Sequence, residues 1–352
     1  MTTLLFVGAF CVVALFVYMG RYSGRLRVAH TRLIDAPAAE VYARVSDLSR
    51  WTEWNPWLEH EANTTVTLSG RTDGPGGRYS WKGERAGAGT IEHVGLLEPR
   101  RIDQRLRSRN PFRFHGRATW KFAEREGQTE VTWELRGRVA FPMRAFAQTV
   151  QGTIALDFRY GLDRLARLLE RADAPHYSLE YLGVQDVAAS RYACITHRGS
   201  LAGLVEAKCR GFAELRTDLA RHGVAPAGEP IAVYANTNVK LRTTVCHLGI
   251  PVGEADVGTV PVRELAAHRA YVVRLRGGHA ALEVAWYQAM QRMRIENIEP
   301  DLRIPPFERH LTDLATTPEN DDVTELHVPV RERASSLPAV AAQDSKGMQL
   351  VP

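Results

Sequence analysis

From residue 143 to 171, apolar side chains recur at intervals of three and four: Phe146, Val150, Ile154, Phe158, Leu162, Leu165 and Leu169. This spacing puts them on one face and predicts a long amphipathic helix. A shorter helical pattern covers Ala38 to Leu48, through Val41, Tyr42 and Val45. Before it, Val28, His30, Arg32 and Ile34 alternate with the opposite face, as in a strand stopped at Asp35-Ala36-Pro37. Between the two helices the period is two. The segments TTVTLSG, GAGTIEHVGLLEP, RIDQRLRS, RATWKFAER and TEVTWELRGRV each read as a strand, and the turns TDGPGG, GAG and REGQT separate them. Residues 28–172 thus predict an antiparallel sheet followed by a helix with a face for it to wrap. That arrangement encloses a cavity.

After RADAPH the pattern changes, and residues 177–332 repeat themselves. A strand, an Arg-Gly turn and an amphipathic helix occur in RYACITHRGSLAGLVEAKCRGFAELRTDLARHGV and again in RAYVVRLRGGHAALEVAWYQAMQRMRIENIEP. Arg198-Gly199 matches Arg276-Gly277, and a Pro-containing stretch with a further strand follows each helix. Two copies of strand-helix-strand-strand predict a pseudo-twofold pair with a groove between them. The fold class is α+β in both parts, and the tail 333–352 is expected to lack structure.

Residues 2–19 carry no charge. As a helix they would span about 27 Å, close to the thickness of a bilayer core. We read residues 1–20 as a single-pass transmembrane anchor rather than a cleaved signal, because no basic residue precedes the segment. Arg21, Arg25 and Arg27 follow it, which places the folded body on the cytoplasmic side.

The composition adds little to this picture. The chain has 352 residues, 45% hydrophobic and 24% charged, as expected for two globular domains. Its net charge is +5. Lys occurs only at 82, 121, 208, 240 and 346, and Arg supplies the remaining positive charge. Along the chain the basic residues alternate with acids, as in Glu124-Arg125-Glu126, without forming a stripe. No nucleic-acid partner is expected on that pattern. The cysteines at 11, 194, 209 and 246 have no CxxC spacing and read as reduced thiols. No His pairs with Cys, Asp or Glu at a ligand spacing, and no phosphate loop or nucleophile elbow occurs, so neither a metal nor a cofactor is expected.

Two places concentrate chemistry. In DLSRWTEWNPW, Trp51, Trp54 and Trp57 recur every third residue, as on one face of a 3₁₀ turn ended by Pro56. Core, membrane belt and pocket rim are all compatible with that spacing. The second place is PPFERHL, where Phe307-Glu308 opens a strand. By itself Glu308 reads as an ordinary strand residue, solvated or paired with Arg309 or Arg303.

LIDAPAAEVYARVSDLSRWTEWNPW, WKGERAGAGTIEHVG and TEVTWELRGRV resemble the START-like superfamily, and within it the polyketide cyclase/dehydrase or Bet v 1-like group. The resemblance implies a helix-grip fold with an apolar cavity and no set catalytic residues. Trp51, Trp54, Trp57 and Trp81 would then line or lid the cavity, or plug one end of the core. PPFERHLTDLATTPENDDVTELHVPV resembles the GyrI-like, AraC-type effector-binding family, through Phe307-Glu308, Thr324-Glu325 and Pro329-Val330. His310 stands where that family usually has Tyr, and Ala315 where it often has Pro. The resemblance implies that Glu308 points into the groove, walled by Phe307, Tyr234, Trp286 and Tyr287, and meets a cationic ligand by charge and cation–π contact.

The sequence therefore predicts a membrane-anchored, two-module protein that senses or sequesters hydrophobic or cationic amphipathic compounds. A binding protein is preferred to an enzyme. The alternatives are a hydrolase of reactive xenobiotics, with Glu308 as base and Tyr287 beside it, and a module that binds a protein partner.

Overall fold

The computed structural model describes residues 20–21, 23–59, 61, 64–84, 86–110, 113–141, 143–170, 177–238 and 241–331. The apolar segment 2–19 and the tail from 333 lie outside them. Among the described residues no helix is long and apolar enough to cross a membrane.

The first body is a seven-stranded antiparallel sheet in the order β1-β7-β6-β5-β4-β3-β2. Its strands are β1 (Arg25–Ile34), β2 (Thr65–Ser69), β3 (Arg78–Lys82), β4 (Ala88–Leu97), β5 (Arg101–Asn110), β6 (Phe114–Arg125) and β7 (Gln128–Val139). Between β1 and β2 come α1 (Ala38–Ser46), a 3₁₀ turn (Leu48–Glu53) and α2 (Pro56–Glu59). Pro56 opens that last turn rather than ending the previous one, because proline suits the first helical position. The strand β3 escaped the sequence reading, since its only large apolar residues are Tyr79 and Trp81.

The long helix α3 covers Ala147–Leu169, behind a 3₁₀ turn at Met143–Phe146. Its stripe from Val150 to Leu169 packs on the inner face of the sheet, where Val131, Trp133 and Leu135 of β7 and Trp120 and Phe122 of β6 are buried, whereas Phe146, in the 3₁₀ turn, is exposed. Alternation sends the intervening residues of each strand to the outer, solvated face.

The second body is an eight-stranded sheet in the order β12-β9-β11-β10-β14-β15-β13-β8. Its strands are β8 (Ser178–Val187), β9 (Ser190–Ser200), β10 (Ile231–Asn238), β11 (Thr243–Pro251), β12 (Val262–Leu265), β13 (His268–Arg276), β14 (Phe307–His310) and β15 (Val323–Pro329). Helix α4 (Leu204–Arg221) joins β9 to β10, and α5 (Leu282–Ile295) joins β13 to β14. The inner six strands are therefore two copies of strand-helix-strand-strand, meeting where β10 pairs with β14. At that seam Ala232 lies directly opposite Glu308.

Candidate functional site

The two bodies put their aromatic residues to different uses. In the first, Trp51 and Trp54 are fully buried and belong to the core. The rings form a continuous pile. Trp133 stacks on Phe158 at 3.8 Å and on Trp120 at 4.2 Å, Trp54 meets Trp120 edge-on at 5.7 Å, and Trp51 lies 5.2 Å from Trp54. This pile fills the space between sheet and helix where a ligand cavity was expected. The cluster in DLSRWTEWNPW is thus mainly a plug. Trp57 and Trp81 are half-buried at the end of the pile and stack on each other at 6.4 Å.

Trp57 does something further. Its indole N–H donates to Asp157 Oδ2 at 3.0 Å, and the Tyr287 hydroxyl of α5 donates to Asp157 Oδ1 at 2.7 Å. Asp157 sits on the apolar face of α3, buried where the two bodies touch. Burial pushes its carboxyl up, and the Tyr287 and Trp57 hydrogen bonds with the Arg294 charge only partly offset that, leaving it at about 6. Tyr287, expected beside Glu308, is therefore an interface residue.

The second body buries a charge and keeps an opening beside it. Glu308 is 0% exposed. The Tyr234 hydroxyl donates to its Oε1 at 2.6 Å and the Trp286 indole N–H donates to the same oxygen at 3.0 Å. Lys208 of α4, itself 1% exposed, forms an ion pair with Oε2, and His310 Nε2 stands 3.5 Å from that oxygen. The partner of Glu308 is thus Lys208, not Arg309 or Arg303.

Burial alone would raise the Glu308 carboxyl. The Lys208 charge, His310 and the hydrogen bonds from Lys208 and Tyr234 outweigh it and hold the group at about 2. Burial lowers His310 to about 3, with the Lys208 charge in the same direction, so its ring is neutral at physiological pH. Phe307, next in the strand, points to the opposite face and stacks on His327 at 4.3 Å. It is no wall of the Glu308 site.

Tyr234 and Trp286 are half-buried and line a cavity of about 1140 Å³. Its other walls come from the 300–306 loop, from Met290, and from Arg191, Tyr192 and Arg263 on the β9–β12 side. Glu308 does not reach this lining. It stands behind the two rings and fixes them.

Lys208 and Asp157 were missed in the sequence. Both had a signal: each is a charged residue on the apolar stripe of an amphipathic helix. Lys208 sits among Leu204, Ala207, Phe212 and Leu215. Asp157 follows Ile154 and precedes Phe158.

Residues 25–170 match the family model described as polyketide cyclase / dehydrase and lipid transport. No curated protein matches the chain. Among solved structures, a protein of Chromobacterium violaceum is 16% identical, covering 41% of this chain and 97% of its own, with a TM-score of 0.33. A protein of Thermobifida fusca is 22% identical over 40% of this chain and 91% of its own, with a TM-score of 0.34. A complex of SAV2435 with tetraphenylphosphonium is 15% identical over 43% and 94%, with a TM-score of 0.35. Scores at this level leave the fold to be read from the strand order and the packing themselves. The match to that family model runs from β1 to the end of α3 and so covers the whole of the first body.

Proposed function

We propose that this chain is a small-molecule binding protein whose second body takes a flat apolar or amphipathic ligand against Trp286 and Tyr234, while residues 2–19 anchor it in a membrane with the folded body on the cytoplasmic side. In this reading the second body is a GyrI-like effector-binding domain. The observation that carries the reading is the pair of half-buried rings lining the 1140 Å³ cavity, both locked by one buried carboxylate. Such a site costs little ordering entropy on binding, because the rings are already held.

The expected ion pair between ligand and Glu308 needs revising. Lys208 already balances the carboxylate, so a cationic ligand gains no bare counter-charge there. The rings supply an attraction of another kind. A ring whose N–H or O–H donates to a carboxylate is richer in electron density on its faces, which favours a cation stacked on it. Lys208 Nζ already lies 5.9 Å over the Tyr234 ring, so Trp286 is the better platform. Hydrolysis with Glu308 as base gains no support. A carboxylate held at about 2 is a weak base, and this one has no surface in the cavity.

Calorimetric titration of the full chain with a flat lipophilic cation and its uncharged isostere tests the reading. The cation is expected to bind more tightly, and Trp286→Leu to weaken both by about tenfold or more. Equal affinity in wild type and Trp286→Leu would place any binding elsewhere. No heat from either compound would remove the reading.

A further inference from the structure

The outer face of the first sheet carries an arrangement that cannot be seen along the chain. Cross-strand register brings Arg25 of β1 opposite Arg138 of β7, Arg138 opposite His115 of β6, and His115 opposite Arg107 of β5. The next outward-facing row runs Arg27, Arg136, Arg117, Arg105 across the same four strands. All eight residues are exposed. The sequence reading found no basic stripe. The fold builds one from residues scattered over more than one hundred positions.

Like charges directly opposite on a sheet are destabilising, so folding alone does not account for this pattern. Farther along the strands the same face obeys the ordinary rule. Glu134 pairs with Lys121 at 2.7 Å and with Arg136 at 3.1 Å, and Asp103 pairs with Arg101 at 2.7 Å. In the two rows, Arg25, Arg27, Arg107 and Arg138 have no ion pair among the described residues, while Arg136 pairs with Glu134 and Arg105 with Glu92. Where the compensated and bare parts meet there is a dent of about 450 Å³, lined by Arg101, Arg117, Lys121 and Arg136 with Glu134 and Thr119.

We propose that this face docks on an anionic lipid surface, with phosphate headgroups against the two arginine rows and in the dent. Two observations favour a bilayer over other polyanions. The rows are spread over four strands of one sheet face, which suits an extended charged plane. They also lie at the end of the sheet where β1 begins, only a few residues after the uncharged segment 2–19. The face itself rests on the strand register and stands without the anchor.

The test is arginine-directed footprinting of the full chain with phenylglyoxal, read by mass spectrometry. The protein is reconstituted with phosphatidylcholine vesicles, alone or containing phosphatidylserine. With phosphatidylserine, modification of Arg27, Arg107, Arg117 and Arg138 is expected to slow several-fold. Arg210 and Arg221, on the exposed face of α4, should react at unchanged rates. About 1 M salt, where the Debye length is about 3 Å, should abolish the protection. The triple variant Arg27→Ser/Arg117→Ser/Arg138→Ser should fold with an unfolding midpoint no lower than wild type, and Lys121 should lose its lipid-dependent protection from acylation.

Equal rates with and without phosphatidylserine would overturn the proposal. So would protection by an oligonucleotide duplex but not by vesicles, which would make this a nucleic-acid face. Sedimentation with pure phosphatidylcholine vesicles reads the anchor separately. A chain that needs phosphatidylserine to sediment and then shows the footprint loses the anchor and keeps the face.

Discussion

The two interiors solve the problem of burying large rings in opposite ways. Under the first sheet the rings touch one another, and Trp51, Trp54, Trp120, Trp133 and Phe158 leave little that a ligand could displace. Under the seam of the second sheet the rings touch a charge. Tyr234 and Trp286 are pinned through their polar atoms to Glu308 and line the cavity. Ring-on-ring packing makes a closed core, whereas ring-on-carboxylate packing makes a prepared surface. The first body is thus the more tightly filled of the two.

The sharpest way to break this comparison is to remove the charge. Lys208→Met leaves Glu308 buried without its cation and should cost about 3–5 kcal/mol in denaturant unfolding. Adding Glu308→Gln should recover most of that loss, because no unpaired charge then remains. If the single variant is as stable as wild type, the ion pair does not organise the seam.

Next in size is the contact between the two bodies. The Asp157 carboxyl in the folded protein, at about 6, stands above its ordinary 3.8. A raised carboxyl binds its proton more tightly when folded, so the stabilisation is complete below about pH 4 and is lost as pH rises through 6. The difference amounts to about 3 kcal/mol at neutral pH. Glu308 runs the other way: depressed from 4.5 to about 2, it stabilises above about pH 4.5 and loses that contribution as pH falls toward 2. Buried His310, lowered to about 3, makes stability rise with pH up to about 6.5 in both proteins, so thermal unfolding is compared between wild type and Asp157→Asn from pH 4.5 to 7.5. The stability of wild type relative to Asp157→Asn should fall as pH rises through 6.

A smaller effect is expected in the closed core. Trp54→Leu keeps an apolar body but opens the ring pile, and should cost about 2–3 kcal/mol. It should leave cation binding at Trp286 unchanged. Weakened binding in this variant would mean that the two interiors communicate, and Trp57–Asp157–Tyr287 would be the route to examine.

Much of the architecture could be read in the chain. The period of two over residues 65–139, the stripe of α3 and the repeated strand-helix-strand-strand order follow from which residues avoid water, and that preference is local. Glu308 could be singled out from its motif, although its role could not. What escaped were relations between residues far apart in the chain. Lys208 and Glu308 meet across a helix and a strand, at a seam that exists only once two repeats pair. Asp157 acquires its raised carboxyl because two bodies close over it. The arginine rows exist only through register: a shift of one residue in β6 would carry Arg117 to the buried face and dissolve them. Composition and periodicity determined which elements form and which side faces the core. The placement of charge depends on contacts across the sheets, and only the tertiary structure decided it.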